Sequence, residues 1–384
     1  MSKRLIFLVT AIFLLALASS GCSKPVPPQG GFEKPIKIGL ILPMKGELEN
    51  YGLLCKNAID LAVDDVNSKG GVLGRKIEIF PGDDSSNENV AASIAAQFAQ
   101  VQKVSAIVGP YTNQSAISAG PYANRLGVPM IAIRASEPNI TQIGSYVFRA
   151  CYVDKYQGTV LARFTERDLK LKKAAAIYNS GDPGAKDLID NFKQEFEKLG
   201  GKVESVQVYD INATDFTAQV NEVAKTSPEV ILLPDFEDKA GLIMKQVAEK
   251  GIKCTFLGTD LWNGENLLKI AGDVAVGSYF TAHFSPEDPD ARVQEFVDLY
   301  QSDYGNKPGP SAALSYDAIS LVIEAIKRAN SDDPKKIRDA LATIRGFKGV
   351  TGTFSFDEER NPKKGGTILK LEKDAQVFVK RIDP

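Results

Sequence analysis

The side chains that could carry out catalysis or hold a metal are few in this sequence. It has one histidine, His283, and four cysteines, no two of which form a CxxC pair. A histidine-based metal site is therefore excluded and a thiolate zinc site is disfavoured. The sequence also contains no GxxxxGK[ST] phosphate loop and no GxSxG nucleophile elbow. We expect no cofactor and no metal, and we favour a protein that binds a ligand without changing it.

The composition argues against a polyanion-binding protein and for a chain of two domains. The 384 residues include 46 Lys and Arg against 48 Asp and Glu, a formal net charge of -2. Nucleic-acid binding would require a basic face, which this balance disfavours. At about 150 residues per domain the length predicts two domains, each able to bury a core of its own.

Residues 1–21 are predicted to be an export signal. Lys3 and Arg4 precede an apolar run over 5–18, which is shorter than the roughly 20 residues that span a membrane. The segment SSGC that ends at Cys22 resembles a bacterial lipobox, which predicts cleavage before Cys22 and lipid on its sulfur. An ordinary signal peptide cut nearby is the alternative, because Ser19 replaces the usual aliphatic residue.

Export places the rest of the chain in the cell envelope, facing the periplasm or the outer face of the cytoplasmic membrane. Residues 22–34, rich in Pro and Gly, are predicted to be a lipidated linker. Cys55, Cys151 and Cys254 remain in an oxidising compartment, so at least one thiol is unpaired. Their spacing selects no disulfide, and three buried or semi-buried thiols are favoured.

Apolar runs and helical periodicities alternate along the body of the chain. The first run, IKIGLIL, predicts a buried strand over 36–42, and a helical spacing follows over 51–67. Further strands are predicted at 76–80, 105–108, 128–133, 174–178, 202–209, 230–233, 255–258 and 277–282. Further helices are predicted at 90–102, 116–126, 156–168, 186–199, 216–226 and 239–250. This alternation implies two doubly wound α/β sheets that join near 150–157.

The end of the chain suggests that it passes between the two sheets more than once. Three helices are predicted over 290–304, 312–330 and 334–344, followed by a tail over 351–384 of short antiparallel strands. Ligands of doubly wound sheets bind beyond the carboxyl ends of the strands. Two such lobes that face each other form a cleft that can close over a small molecule.

Seven motifs stand out along the chain. In order, they are IKIGLILPMKGELENYG, DDVNSKGGVLGRKIEIFPGDD, AIVGPYTNQSA, GVPMIAIRASEP, FRACYVDKYQG, FLGTDLW and SYDAISL. Together they resemble the periplasmic branched-chain amino-acid (Leu/Ile/Val)-binding protein family. The similarity covers essentially residues 34–384 and is specific because all seven motifs occur in the family's order.

The resemblance implies a type I periplasmic binding fold, with two Rossmann-like lobes joined by three crossovers. We expect lobe 1 to comprise 35–153 plus 283–348, and lobe 2 to comprise 154–282 plus 349–384. Family members pass a bound solute to an ABC permease in the inner membrane. The implied function is therefore an extracytoplasmic binding protein for an amino acid, branched-chain or related, that closes over its ligand. The alternative is a ligand-sensing protein for amides or aromatic and carboxylic acids that acts with a receptor or regulator.

The resemblance also implies which residues line the cleft. The loop after the third strand and Ser136 are expected to hold the ligand carboxylate, with Asn113 in place of the usual serine, and Asp260 is expected to pair with the ammonium. The full expected set is Tyr51, Tyr111, Thr112, Asn113, Arg134, Ala135, Ser136, Phe236, Glu237, Asp260, Trp262 and Tyr316. A zwitterion needs both donors and an acceptor when it loses water, so the set is chemically coherent.

Two positions depart from the family pattern. Arg134 stands where branched-chain binders have a small residue, and a buried guanidinium without a partner is costly. It can point to solvent, pair with Glu237 or Glu137, or meet an anionic group of the ligand. Gly184 stands where many members have a tyrosine, which predicts a more open wall and a larger ligand.

The remaining candidates have ordinary structural interpretations. Trp262 is either a pocket wall or a packing residue, and His283 is expected to be packing or surface. Asp83 and Asp84 would be the catalytic carboxylates of an enzyme, but the family has acids there without catalytic duty. The pairs 172–173 and 363–364 are short basic runs expected on solvated faces.

Overall fold

The computed structural model describes residues 34–264 and 266–382. The predicted signal peptide, the lipidation at Cys22 and nearly all of the linker lie outside the described residues. Within the described ranges, no helix is both long and apolar enough to cross a membrane.

Strands and helices alternate over most of the described chain. The strands are β1 (Ile36–Leu42), β2 (Ile77–Asp83), β3 (Ala106–Val108), β4 (Met130–Ala132), β5 (Val147–Arg149), β6 (Lys173–Asn179), β7 (Lys202–Tyr209), β8 (Val230–Leu232), β9 (Thr255–Gly258), β10 (Tyr279–Ala282), β11 (Phe347–Lys348), β12 (Thr353–Phe356), β13 (Pro362–Lys363), β14 (Gly366–Glu372) and β15 (Ala375–Ile382). The helices are α1 (Glu49–Ser68), α2 (Glu88–Gln97), α3 (Asn113–Leu126), α4 (Asn139–Gln142), α5 (Asp154–Arg167), α6 (Pro183–Lys198), α7 (Thr217–Ala224), α8 (Glu237–Glu249), α9 (Asn266–Ala271), α10 (Ala291–Tyr304), α11 (Pro310–Ala329) and α12 (Pro334–Ala342).

The first lobe is built on a five-stranded parallel sheet in the order β2-β1-β3-β4-β5. Helices cover both faces, which is why its strands are almost continuously apolar. Ile38 and Leu40 pack against α1 and α11 on one face. Ile41 and Ile107 pack against α2 and α3 on the other.

The second lobe is built on a seven-stranded sheet in the order β15-β14-β10-β9-β8-β6-β7. Strands β6 to β10 run parallel, and β14 and β15 extend the sheet antiparallel. Ile231 packs against α7 and α8 on one face, and Leu232 packs against α5 and α6 on the other. The predicted α/β class with two parallel-sheet lobes is confirmed.

The chain passes between the lobes three times, at 150–153, 283–290 and 364–365, as the positions of its strands and helices require. The third crossing lies later than the expected boundary at 348–349. Strands β11, β12 and β13 pair with one another instead of joining the second sheet. Phe354 and Phe356 then fill the first core, where Phe356 meets Phe148 at a centroid distance of 5.4 Å. Residues 353–363 therefore pack with lobe 1, not lobe 2.

Lys364 corrects the expectation of a solvated basic run at 363–364. Its side chain is fully buried at the third crossing, although Lys363 is exposed. The Nζ donates to Thr351 Oγ1 at 2.6 Å, and Thr351 Oγ1 donates to Asp317 Oδ2 at 2.6 Å. Burial lowers the pKa of Lys364 to about 8. The crossing thus carries a buried cation beside a buried carboxylate.

The three cysteines of the described chain are free thiols. Cys55 and Cys151 are buried and Cys254 is partly buried, as favoured from the sequence. Burial raises the pKa of each thiol, to about 12 for Cys55 and Cys254. We therefore expect all three to be unreactive at neutral pH.

Candidate ligand-binding cleft

A cavity of about 760 Å³ lies between the two lobes. This volume suits a small molecule, and the cavity lies at the carboxyl ends of parallel strands, where doubly wound sheets bind their ligands. Its lining residues come from both lobes and from the crossings. They are Asn113, Arg134, Ser136, Glu137, Pro138, Asn139, Gln142, Asp154, Gln157, Asp182, Gly184, Ala185, Leu188, Pro234, Phe236, Thr259, Asp260, Leu261 and His283.

The wall from lobe 1 presents hydrogen-bond donors. Thr112 caps α3 by accepting from Ser115 N at 3.2 Å, which sets Asn113 at the positive end of that helix. Asn113 Oδ1 accepts from Glu137 N at 3.3 Å, so its amide NH₂ remains to donate elsewhere. Ser136 follows β4 and adds a hydroxyl group to the same wall.

Arg149 fixes the loop that carries Ser136. Its fully buried guanidinium donates to Ala135 O at 2.8 Å and to Glu137 O at 2.7 Å. Burial lowers the pKa of Arg149, yet an arginine stays charged because its usual value is so high. Arg149, the last residue of β5, thus fixes two backbone carbonyl groups of the loop that carries Ser136.

The wall from lobe 2 presents carboxylates. Asp154 begins α5, and Asp182 caps α6 by accepting from Ala185 N at 3.1 Å. A Cβ built on Gly184 would lie 3.0 Å from Asp154 Oδ2 and 3.2 Å from Asp182 Oδ1, so both acids border this glycine. Burial, Asp260 and Asp182 raise the pKa of Asp154 to about 7. This wall therefore attracts a cation.

Asp260 is the most strongly held of these acids. Gln157 Nε2 donates to Asp260 Oδ1 at 2.8 Å, while Asp260 Oδ2 lies 3.2 Å from Arg134 Nη2 and 3.4 Å from His283 Nε2. Burial alone would raise the pKa of Asp260, but these three partners hold it below its usual value. Burial lowers the pKa of His283 to about 4, so its imidazole is neutral at neutral pH.

Five residues expected in the cleft line the cavity: Asn113, Arg134, Ser136, Phe236 and Asp260. Arg134 takes a partner that the sequence did not suggest, because it pairs with Asp260 and not with Glu137 or Glu237.

The other seven expected residues are absent from the lining of this cavity. Thr112 and Ala135 lie in the loops that border the cavity, where their backbone or side-chain oxygens accept hydrogen bonds. Tyr111 is buried, and the ring of Tyr51 stacks on it at a centroid distance of 5.8 Å. Glu237 is held on its own lobe, where it accepts from Gly264 N at 3.0 Å.

Trp262 and Tyr316 lie elsewhere. Trp262 is fully buried in the second core, where its indole N–H donates to Asp235 O at 3.1 Å. The indole fits in this position because Gly258, which it contacts closely, has no Cβ. Tyr316 borders a smaller cavity of about 290 Å³ on lobe 1. The structure therefore gives both aromatics packing positions away from the cleft.

Eight polar residues of the lining are not in the expected set, and four of them bear on the charge of the cleft. Asp154 and Gln157 lie within the motif FRACYVDKYQG, so the signal was present but was not assigned to a role. Asp182 had only the weak signal of a helix cap. His283 was expected to be packing or surface, and it does pack on Tyr152 at a centroid distance of 4.0 Å, but it also faces the cleft. Asp83 and Asp84 do not line the cavity.

Two α/β lobes that enclose a polar cavity, with donors on one wall and carboxylates on the other, define a two-lobed solute-binding protein. The sequence model of a family described as periplasmic binding protein matches residues 35–376. The chain therefore belongs to the periplasmic binding protein family, whose members bind solutes and are not enzymes. The family also implies a location outside the cytoplasm.

Individual relatives confirm the resemblance to Leu/Ile/Val-binding proteins. The chain is 30% identical over 342 residues to Leu/Ile/Val-binding protein homolog 1 of Brucella abortus, which covers 88% of this chain and 91% of that protein. It is 30% identical to the branched-chain amino acid transporter substrate binding protein LivJ of Streptococcus pneumoniae, solved with isoleucine, with a TM-score of 0.73 over 91% of this chain and 100% of that one. A solute binding protein of Rhodopseudomonas palustris, solved with 3,4-dihydroxy benzoic acid, is 26% identical, with a TM-score of 0.70 over 91% and 96% of the two chains.

Proposed function

We propose that this protein is the solute-binding component of an ABC importer and that its ligand is an α-amino acid, branched-chain or related. One observation carries the proposal: donors from lobe 1 and carboxylates from lobe 2 face the same cavity. The relatives solved with isoleucine or named for leucine, isoleucine and valine support the same ligand class.

A zwitterion fits the charges of the two walls. Asn113, Ser136 and the first turn of α3 offer donors for the carboxylate, and Asp260 and Asp154 offer acceptors for the ammonium. Hydrogen bonds to charged groups contribute about 1.5–3 kcal/mol each. Three or four of them, less the cost of immobilising the ligand, are consistent with micromolar affinity, about -8 kcal/mol.

A thermal-shift screen of the purified protein tests the proposal. The panel contains the twenty amino acids and small aromatic and dicarboxylic acids. We expect at least one amino acid to raise the melting temperature, since a ligand at 100 times its Kd adds about 2.7 kcal/mol of stability. A panel in which no amino acid shifts the transition contradicts the proposal.

One observation favours a second candidate, a carboxylic acid that lacks an amine. Arg134 pairs with Asp260, so the protein itself supplies a cation to this acceptor. The relative solved with 3,4-dihydroxy benzoic acid shows that the fold accepts such ligands. A shift with aromatic acids and none with amino acids would favour this candidate, whether the protein delivers its ligand to a permease or reports it to a receptor or regulator. Neighbouring permease and ATPase genes would support import.

We expect the affinity for an amino acid to depend on Asp154 and on pH. A ligand ammonium favours the ionised carboxylate, so binding below the pKa of about 7 must expel a proton. Affinity should therefore rise between about pH 6 and about pH 8, by up to about tenfold per unit below the pKa. Calorimetric titration across this range measures the effect.

The variant Asp154→Asn should flatten that pH dependence and weaken binding. Asp83→Asn is the matched control, because Asp83 Oδ1 accepts from Met44 N outside the cavity and an amide oxygen can do the same. A profile that keeps its slope in Asp154→Asn assigns the dependence to another group and removes Asp154 from the ammonium site.

We also propose that the mature chain begins at a lipidated Cys22 and that residues 23–34 tether it to the membrane. The basic start, the short apolar run and the SSGC segment support this proposal. The mass of the N-terminal peptide from isolated membranes tests it, since an unmodified Cys22 contradicts lipidation.

A further inference from the structure

An ion pair joins the two walls of the cleft. Arg134 follows β4 of lobe 1, Asp260 follows β9 of lobe 2, and Arg134 Nη2 lies 3.2 Å from Asp260 Oδ2. Ser136 and Asp154 make a further polar contact between these walls. Of these two contacts, the Arg134–Asp260 pair is the one in which a cationic side chain binds an acid that a ligand cation would also use.

Asp260 is held in place by its own lobe. Gln157 donates to its carboxylate at 2.8 Å, and Gln157 Oε1 accepts from the backbone N–H of Asp260 at 3.2 Å and from the hydroxyl of Thr281. Asp260 therefore does not need Arg134 to keep its position. It is a fixed acceptor that faces the opposite wall.

Arg134 is the more accessible partner. Its side chain is 30% exposed, against 14% for Asp260. Arg134 also interacts with the hydroxyl group of Tyr111. That hydroxyl oxygen lies 2.8 Å from Ser311 Oγ. A guanidinium has five N–H donors, so one ion pair and one hydrogen bond leave donors for an anion. The arginine can leave Asp260 and still be partnered if an anion is present.

We propose that Arg134 is a specificity-determining residue that occupies Asp260 in the empty cleft in place of the ligand's cationic group. The bridge closes the cleft without solute. A solute displaces Arg134 when it brings a cation for Asp260 and an anion for the freed guanidinium. An amine without a carboxylate is rejected, because it would leave a partly buried guanidinium unpaired.

This inference deepens the proposed function and rests on it for the choice of ligand, whereas the closure of the empty cleft does not depend on any ligand. Small-angle scattering of the ligand-free protein tests closure. The radius of gyration should increase in Arg134→Ala and stay near the wild-type value in Arg134→Lys, which keeps the cation. High salt should expand the wild type toward Arg134→Ala, since a partly exposed pair is screened.

Arg163→Ala is the matched control for the scattering measurement. Arg163 pairs with Glu195 at 2.8 Å, and both residues lie in lobe 2, so this ion pair does not join the two walls of the cleft. Equal radii of gyration for the wild type and Arg134→Ala would overturn the proposed closure.

Selectivity is tested with the amino acid that binds best in the screen and with the amine made from it by removal of the carboxyl group. Their Kd values are measured for the wild type, Arg134→Ala and Arg134→Lys. The wild type and Arg134→Lys should discriminate strongly against the amine, and Arg134→Ala should narrow the ratio of the two Kd values by at least about tenfold. An unchanged ratio overturns the specificity role. A wild type that binds no amino acid overturns the proposed function, and scattering still decides closure.

Discussion

Replacing Lys364 by alanine should destabilise the protein by about 2–5 kcal/mol. The substitution removes a fully buried side chain at the third crossing, together with its hydrogen bond to Thr351. It also removes a cation that lies 4.6 Å from the ring centroid of Phe354 and interacts with buried Asp317. Asp317 would then lose the cation that contributes most to lowering its pKa. Chemical denaturation of the purified protein measures the loss.

Lys363→Ala is the control, because Lys363 is the adjacent residue of the same type and is exposed. Its effect should stay within about 0.5 kcal/mol, as for an ordinary surface substitution. Equal effects of the two substitutions would contradict a buried role for Lys364.

The same lysine predicts a sign for the pH dependence of stability. Its pKa falls from 10.5 to about 8 in the folded protein, so between these values the unfolded chain binds more protons than the native one. The contribution of Lys364 to the free energy of unfolding therefore rises as the pH increases from about 8 to about 10.5. Below about pH 8 the side chain is charged in both states, so the cost of burying its charge lowers the free energy of unfolding in full. The difference between the wild type and Lys364→Ala isolates this contribution from other titrating groups, and a difference that does not grow with pH contradicts it.

The fold was predictable because its signals are local. The run IKIGLIL and the helical spacing after it gave β1 and α1 to within two residues at each helix end. The tail over 351–384, expected to form short antiparallel strands, contains β12, β13, β14 and β15. The order of elements at the end of the chain suggested more than one crossing between the lobes, and the family resemblance supplied their number. What it could not supply was the exact third boundary, which depends on Phe354 and Phe356 entering the first core.

Side-chain environments were less predictable, because they depend on contacts between segments distant in sequence. Asp260 and His283 lie on different elements, and Arg134 reaches Asp260 across 126 positions of the chain. A lone histidine or an isolated arginine carries no sign of such a partner. The family resemblance pointed to loops whose Asn113 and Ser136 line the cavity, yet it could not show that Arg134 would pair with Asp260.

Replacing Gly258 by alanine should damage both the second core and the cleft. A Cβ at Gly258 would lie 2.1 Å from Trp262 Cδ2, and Trp262 is fully buried, so the indole must move. Overpacking of this kind costs about 1–3 kcal/mol and occasionally more. The displaced indole belongs to the 3-10 turn Asp260–Trp262, so the shift should also move Asp260 away from Gln157 and Arg134.

Gly309→Ala is the matched control for this substitution. Gly309 has nothing within 4 Å of a built Cβ, and its φ of -100° is allowed for alanine. Trp262 is the only tryptophan, so its fluorescence reports the core directly while calorimetric titration reports ligand affinity. We expect Gly258→Ala to change the emission spectrum, lower the free energy of unfolding and weaken ligand binding together, with Gly309→Ala close to the wild type in all three. Lost stability with unchanged affinity would show that Asp260 keeps its position when Trp262 moves, and the link between this core and the cleft would then be wrong.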